Sequence, residues 1–346
     1  MKKNVPKKER SRKMSELQIG IIGCGKIAQT RHIPEFAANS GCRLRGFYNP
    51  TVTRAEEVSA RYGGIVYSSA EELIADPGLD AVVVCTPNET HCTYSVAALR
   101  AGKHVLCEKP MALTLSDCEC MVSAAEEAGR ILMIGQNQRL KPEYAAAREL
   151  LQSGAVGKVL TFRSCFCHAG PEHWAIVPGN GTWFFSAERS GLGVMGDLGV
   201  HMIDVIRFLL DDEVKSIRSI MKTLDKTDLS GNRIRVPDNA LCLVEMQNGP
   251  IGTVSSSWTY YGNTDNSTVI SGTEGVLRIN DGKSSSLCFY PSVGEPQRFD
   301  YSGRPRNSGV ADAFIRSILT GTAPPSSGRD VLGSMRAVFD AMRFSE

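Results

Sequence analysis

Between Leu17 and about Gly135, short apolar runs alternate with amphipathic segments long enough for helices. The runs are LQIGIIG, RLRGFY, AVVVCT, HVLCE and ILMIG, and the segments between them open near Ile27, Thr53, Glu71, His91 and Leu115. A strand buried on both faces has no solvent side to alternate toward, so near-continuous apolar strands separated by helices predict a parallel sheet covered on both sides. Right-handed crossovers then give a doubly wound fold.

After Gln136 the rhythm changes. The pattern predicts a helix over Pro142–Ser153, a strand over Lys158–Cys167, a long loop rich in Gly, His and aromatic residues from His168 to Gly196, and a helix over Leu198–Leu210. From Val214 to Tyr301, strand-like runs separated by turn sequences such as QNGP and SGTEG predict a largely antiparallel sheet, and two helices close the chain near Val310–Leu319 and Gly328–Phe344. The expected fold is α/β: a doubly wound parallel sheet at 15–136, then an α/β domain with a large, mostly antiparallel sheet at 137–346. Residues 1–14 form a basic tail.

Charge matters once it is divided along the chain. The formal net charge is +2, but residues 1–13 hold seven Lys/Arg and one Glu; the rest has 32 basic and 36 acidic residues, a net of −4. A folded body of that sign lacks the clustered basic charge that nucleic-acid binding needs. The tail has no apolar core of a secretory signal and reads as a disordered, solubilising end. No run of about 18 apolar residues is present to span a membrane. Eleven cysteines, an odd number scattered through strands and helices, fit reduced thiols and a cytoplasmic location. Cys118/Cys120 and Cys165/Cys167 have Cys-x-Cys spacing, not the Cys-x-x-Cys of zinc sites, and no metal is expected.

The sequence IGIIGCGKIAQT places Gly23, Gly25 and Ala28 directly after a strand and at the opening of a helix. Gly23 permits the tight turn, Gly25 the approach of a pyrophosphate to the backbone, and Ala28 close helix–strand packing. Lys26 and Ile27 lie in the first turn, whose N–H groups face the phosphates. The second strand ends at Asn49, where an Asp or Glu ordinarily accepts the adenine ribose hydroxyls. An Asn can hydrogen-bond a ribose without repelling a 2′-phosphate, so the cofactor is NAD(P), with NAD against NADP open. Ligands of such sheets bind outside the carboxyl ends of the strands. CTPNETH, with Thr86, Pro87, Asn88 and His91, and CEKP, with Glu108, Lys109 and Pro110, fall at two neighbouring strand tips that border the nicotinamide. A lysine held extended by the proline that follows it is poorly explained as a surface charge.

The sequences AGKHVLCEKPMALT and GVMGDLGVHMIDV together resemble the Gfo/Idh/MocA family, the glucose-fructose oxidoreductase and inositol dehydrogenase relatives, over nearly the whole chain after residue 15. The resemblance implies a Rossmann domain followed by an α/β domain whose open sheet supports a homodimer or homotetramer. It further implies hydride transfer on a sugar, a cyclitol or their derivatives. Lys109-Pro110 resembles a peptide bond often cis in that family, and Leu192 replaces the middle one of three glycines usual before the second motif.

Asp197 and His201, four apart at the start of a helix, share a face. Read alone, they are a helix cap and a satisfied core histidine; in the family's pattern His201 is the base of alcohol oxidation, Asp197 orients it or binds a hydroxyl, and Lys109 holds the reacting oxygen. Which of Lys109 and His201 accepts the proton stays open. The intervening CHAGPEHWAIVPGNGTWFF supplies His168, Trp174 and Trp183 as candidate substrate contacts, Trp183 and Phe184 fitting core packing equally well. Arg139 and Tyr144 are candidates for substrate hydroxyls or a carboxylate, and Trp258, Tyr260 and Tyr261 for the sheet side of the pocket. Two other readings compete with a dehydrogenase: an NAD-dependent glycosidase that oxidises its substrate transiently, and a non-catalytic nucleotide sensor, which would have no need of proton-transfer groups.

Overall fold

The computed structural model describes residues 16–281, 286–301, 303 and 307–345; the tail expected to be disordered lies outside them. Six strands, β1 (Leu17–Ile22), β2 (Cys42–Tyr48), β3 (Ile65–Val66), β4 (Ala81–Val84), β5 (His104–Cys107) and β6 (Leu132–Ile134), form a parallel sheet in the order β3-β2-β1-β4-β5-β6. Helices α1 (Ile33–Ala38), α2 (Val52–Tyr62), α3 (Ala70–Ala75), α4 (His91–Arg100) and α5 (Leu115–Ala128) connect them. Every residue of β4 is buried, which is why its sequence is an unbroken apolar run. The order reverses between β1 and β4, and the glycine loop, CTPNETH and Lys109 all project from strand ends beside that switch point.

The second half contributes α6 (Pro142–Gln152), β7 (Val159–Cys167), α7 (Ala187–Ser190), α8 (Val200–Leu210), β8 (Val214–Lys222), β9 (Asn239–Met246), β10 (Ile251–Ser257), β11 (Thr268–Gly272), β12 (Gly275–Ile279), β13 (Leu287–Pro291) and β14 (Gln297–Phe299). Its eight-stranded sheet runs β14-β13-β12-β11-β7-β10-β9-β8, antiparallel except for the β7–β10 pair. One face packs on α6, α8 and α10 (Gly328–Arg343); on the other, Ile220, Leu241, Leu243 and Ile251 are each more than half exposed. The chain then returns to the first half. In α9 (Val310–Thr320), Phe314 packs edge-on against Phe36 of α1 with ring centroids 6.4 Å apart, and α10 lies along α5.

Two π-helical turns interrupt the helices that face the cleft, at Ala28–His32 ahead of α1 and at Met195–Gly199 ahead of α8. A π-turn inserts one extra residue per turn and recurs at functional sites. The long loop after β7 is ordered by short 3₁₀ turns at Pro171–His173 and Trp183–Phe185 and by Lys226, which is buried and donates to Ala169 O at 2.6 Å, to the Glu172 carboxylate and to Tyr261 Oη.

Candidate active site

Lys109 sits just past the end of β5, and its peptide bond to Pro110 is cis. Glu108 is buried and turned away from it: its carboxylate takes a 2.6 Å hydrogen bond from His32 and a 3.1 Å bond from the Lys109 backbone N–H. Burial alone would raise the Glu108 carboxyl, but the His32 hydrogen bond and the charges of Arg31 and Lys109 outweigh it and hold it well below the usual range. The Glu108–Lys109 side-chain ion pair that adjacency suggests does not form. Instead the Lys109 ammonium crosses to the second half, donating to Asp197 Oδ1 at 2.7 Å and to Asp197 O at 2.8 Å.

Asp197 is placed by the π-turn and by the loop before it. Gly193 has φ +53°, and a Cβ there would meet Pro237 O at 2.5 Å, whereas Leu192, in the position of the usual glycine, is simply buried in the core. The second carboxylate oxygen accepts from Trp258 Nε1 at 3.0 Å, so the indole is a fully buried clamp rather than a pocket wall. Burial would push the Asp197 carboxyl up; the Lys109 charge, then His168, reverse this and keep it ionised. His168 Nε2 lies 3.9 Å from Asp197 Oδ2, its Nδ1 accepting from the Gly170 N–H. One turn on, His201 is buried, and desolvation followed by the Lys109 charge pushes it well below the ordinary histidine value. It is a neutral imidazole at physiological pH.

Of these groups Glu108, Lys109 and Asp197 border a cleft of about 560 Å³ that runs from the glycine loop to the aromatic loop, whereas His168 and His201 are not among the residues that line it. Gly23, Gly25, Lys26, Ile27, Asn49, Thr86, Pro87, Asn88, Glu108, Lys109, Trp174, Trp183 and Asp197 line it, together with Arg54 and Phe184. The residues fit a dinucleotide. Gly23 (φ +96°) turns so tightly that a Cβ would strike Cys85 O at 2.5 Å, while a Cβ on Gly25 would meet nothing within 4 Å, leaving the backbone there open to a phosphate. Trp183 stacks on Phe184 at 3.9 Å and Trp174 meets Phe184 edge-on, so packing and pocket wall are roles of one cluster.

Several expected contacts are spent elsewhere. Asn49 Oδ1 accepts from Cys24 N at 3.0 Å and Nδ2 donates to Thr51 O, so this amide shapes the glycine loop from the cleft wall. His91 is fully buried, between Pro110 O and Thr86 O, where it ties two strand tips together. Ala28 is buried under the loop. Arg139 does not face the cleft: it binds Asp204 through two nitrogens, at 2.5 and 2.6 Å, and also Pro325 O and Asp330. Tyr144 is fully buried, and Tyr260 and Tyr261 are exposed. Sequence reasoning missed Gln136, whose Oε1 lies 2.9 Å from His201 Nδ1, and the role of Trp258; neither has a local signal, since each partner is more than sixty residues away.

A dinucleotide cleft in which a strand-tip lysine meets a carboxylate from the facing helical turn, with a neutral histidine one turn further on, defines an oxidoreductase that works on a small-molecule substrate. The chain belongs to the Gfo/Idh/MocA oxidoreductases: residues 17–136 match the model of the oxidoreductase family with an NAD-binding Rossmann fold, and residues 144–278 that of the GFO/IDH/MocA C-terminal domain. It is 28% identical to levoglucosan dehydrogenase from Pseudarthrobacter phenanthrenivorans over 77% of this chain and 74% of that one. It is 25% identical to myo-inositol 2-dehydrogenase from Thermotoga maritima over 91% and 92% of the two chains. The crystal structure of aldose-aldose oxidoreductase from Caulobacter crescentus complexed with glycerol superposes with a TM-score of 0.82 at 28% identity, covering 95% of this chain and 97% of that one.

Proposed function

We propose that the protein is an NAD(P)-dependent dehydrogenase or reductase that interconverts a secondary alcohol and a ketone on an uncharged sugar, cyclitol or related polyol. The observation that carries this reading is the Lys109–Asp197 pair, joined at 2.7 Å where the cofactor cleft meets the aromatic loop, with neutral His201 one helical turn from the carboxylate. Trp174, Trp183 and Phe184 offer apolar faces to a ring. Arg139, the expected reader of a substrate carboxylate, is locked away, and Arg189, which lines the cleft, is paired with Glu89; both favour an uncharged substrate.

When bound, the nicotinamide supplies or accepts the hydride. In the oxidative direction, His201 Nε2 takes the hydroxyl proton as the C–O bond becomes a carbonyl, and the Lys109 ammonium hydrogen-bonds that oxygen and stabilises the charge developing on it. Asp197, clamped by Trp258, keeps the ammonium in place. In the reductive direction the same proton returns to the oxygen. Residues 15–136 serve the cofactor in this reading and 137–346 the substrate and assembly, with α9 and α10 closing back over the first half. The exposed Ile220, Leu241, Leu243 and Ile251 support pairing of the open sheet face with a second copy. No helix among the described residues is long and apolar enough to cross a membrane, and all eleven cysteines are free, which supports a cytoplasmic setting.

The test is a panel of uncharged sugars, cyclitols and uronates, each followed by nicotinamide absorbance with NAD and with NADP. The reading requires net cofactor turnover with at least one uncharged member. Cleavage of glycosides with no net change in the cofactor would move the protein to the glycosidase reading.

A further inference from the structure

Gln136 lies two residues past the end of β6 and is 1% exposed. Its Oε1 faces His201 Nδ1 at 2.9 Å. With the amide in this orientation its oxygen accepts and Nδ1 holds the ring proton, Gln136 Nε2 being buried with no partner among the described residues. His201 Nε2, which makes no hydrogen bond among the described residues, is left with a free lone pair. Three residues beyond each partner, Arg139 and Asp204 join the same two segments by a bidentate pair, and Ser334 adds a 2.9 Å bond to Asp204 Oδ1. The segment after β6 and helix α8 are therefore fastened at two successive points, 136 to 201 and 139 to 204. A sealed ion pair sets the spacing at which the amide meets the imidazole.

We propose that Gln136 is a positioning residue that locks His201 in the Nδ1–H tautomer, so that Nε2 is the ring nitrogen left to accept a proton. The inference rests on the alcohol-oxidation reading and names the group that makes His201 competent for it. A histidine whose ring is oriented by a second partner is a recurring arrangement, and at metal-bound histidines loss of that partner costs about 10–100-fold, which sets the scale expected here. Lys109, Asp197, Glu108 and Arg31 are the charged groups whose fields reach the ring, and Gln136 adds no charge of its own.

Two measurements test it. In ¹⁵N-imidazole NMR of the whole wild-type protein, with His201 assigned from His201→Gln, the ring proton is expected on Nδ1; a proton on Nε2 overturns the proposal. This readout needs no substrate, so it stands even if the panel above finds no turnover. In steady state, Gln136→Leu is expected to lower kcat about 10–100-fold with the KM for the cofactor unchanged. Gln136→Glu keeps the acceptor and retains most of the turnover, but its carboxylate stabilises the imidazolium, so the acid limb of the pH profile moves to higher pH. An unmoved limb in Gln136→Glu, or wild-type turnover in Gln136→Leu, would refute the role.

Discussion

Two buried cation–aspartate pairs, Lys109–Asp197 across the two halves and Arg139–Asp204 within the second, differ in what surrounds them. Arg139–Asp204 is sealed: the guanidinium is bidentate on Asp204, also bonds Pro325 O and Asp330, and is 5% exposed. Lys109–Asp197 is tight at 2.7 Å, but its lysine side chain is 16% exposed and lines the cleft, with His168 and His201 beside it. A planar fork that uses its donors on protein acceptors fixes geometry, whereas an ammonium with donors to spare at a cavity wall can bind a ligand oxygen. Chemical type alone does not separate a structural ion pair from a functional one; the remaining donors and the access to them do.

The largest effect on stability should come from the sealed pair. Arg139→Leu leaves Asp204 buried and short of its main partner, and a loss of about 3–5 kcal/mol in unfolding free energy is expected. Lys109→Ala should cost less, because Trp258 still donates to Asp197 and the space left by the lysine opens to the cleft. Chemical denaturation of the two variants compares them; equal losses would erase the distinction.

Next is acid sensitivity, which comes from the buried histidines, two of them beside the open pair. His91, His104, His168 and His201 are held below the ordinary value of about 6.5 by burial. As pH falls through about 6.5 the unfolded chain takes up protons that the folded chain refuses, so stability is present above that pH and declines below it. The slope is up to about 1.4 kcal/mol per pH unit for each such histidine. Asp197 and Glu108, held low, keep their contribution until a more acid pH. Denaturation between pH 7 and 5.5 should show the decline, and His201→Gln should flatten it; a slope unchanged by that substitution would remove His201 from the account.

Smaller still is cofactor choice. Asn49 is neutral and occupied by Cys24 N and Thr51 O, with Arg54 also on the cleft wall, so NAD and NADP are expected to be used within about tenfold of each other, or about 1.4 kcal/mol. Asn49→Asp keeps the bond to Cys24 N and adds a charge that repels a 2′-phosphate, shifting preference to NAD. Catalytic efficiencies with both cofactors measure the change; a thousandfold wild-type preference would place the determinant elsewhere.

The two halves were unequally legible from sequence. The parallel sheet announces itself because its strands are largely apolar, β4 without interruption, and the glycine loop has a fixed local geometry; only β3, two residues long, carried too little pattern to be seen. The motifs around Lys109 and Asp197 were readable as a pair because each sits in a distinctive local sequence. The partners were not. Asn49 and Arg139 have the right chemistry for a ribose and a carboxylate, and nothing near them in sequence shows that Cys24, Asp204 and Asp330 already hold them. The π-turns at Ala28–His32 and Met195–Gly199 change hydrogen-bond pairing without changing composition, so hydrophobic period alone does not reveal them.

The central claim, that Lys109 acts on the reacting oxygen while the cofactor is held by the glycine loop and its neighbours, is tested most directly by a single-turnover measurement on Lys109→Ala. With a substrate from the panel and saturating cofactor, the rate of nicotinamide reduction should fall by about a thousandfold, roughly 4 kcal/mol of transition-state stabilisation, while the cofactor dissociation constant measured on the same sample stays within about twofold of wild type. A variant that reduces the nicotinamide at the wild-type rate would contradict the account.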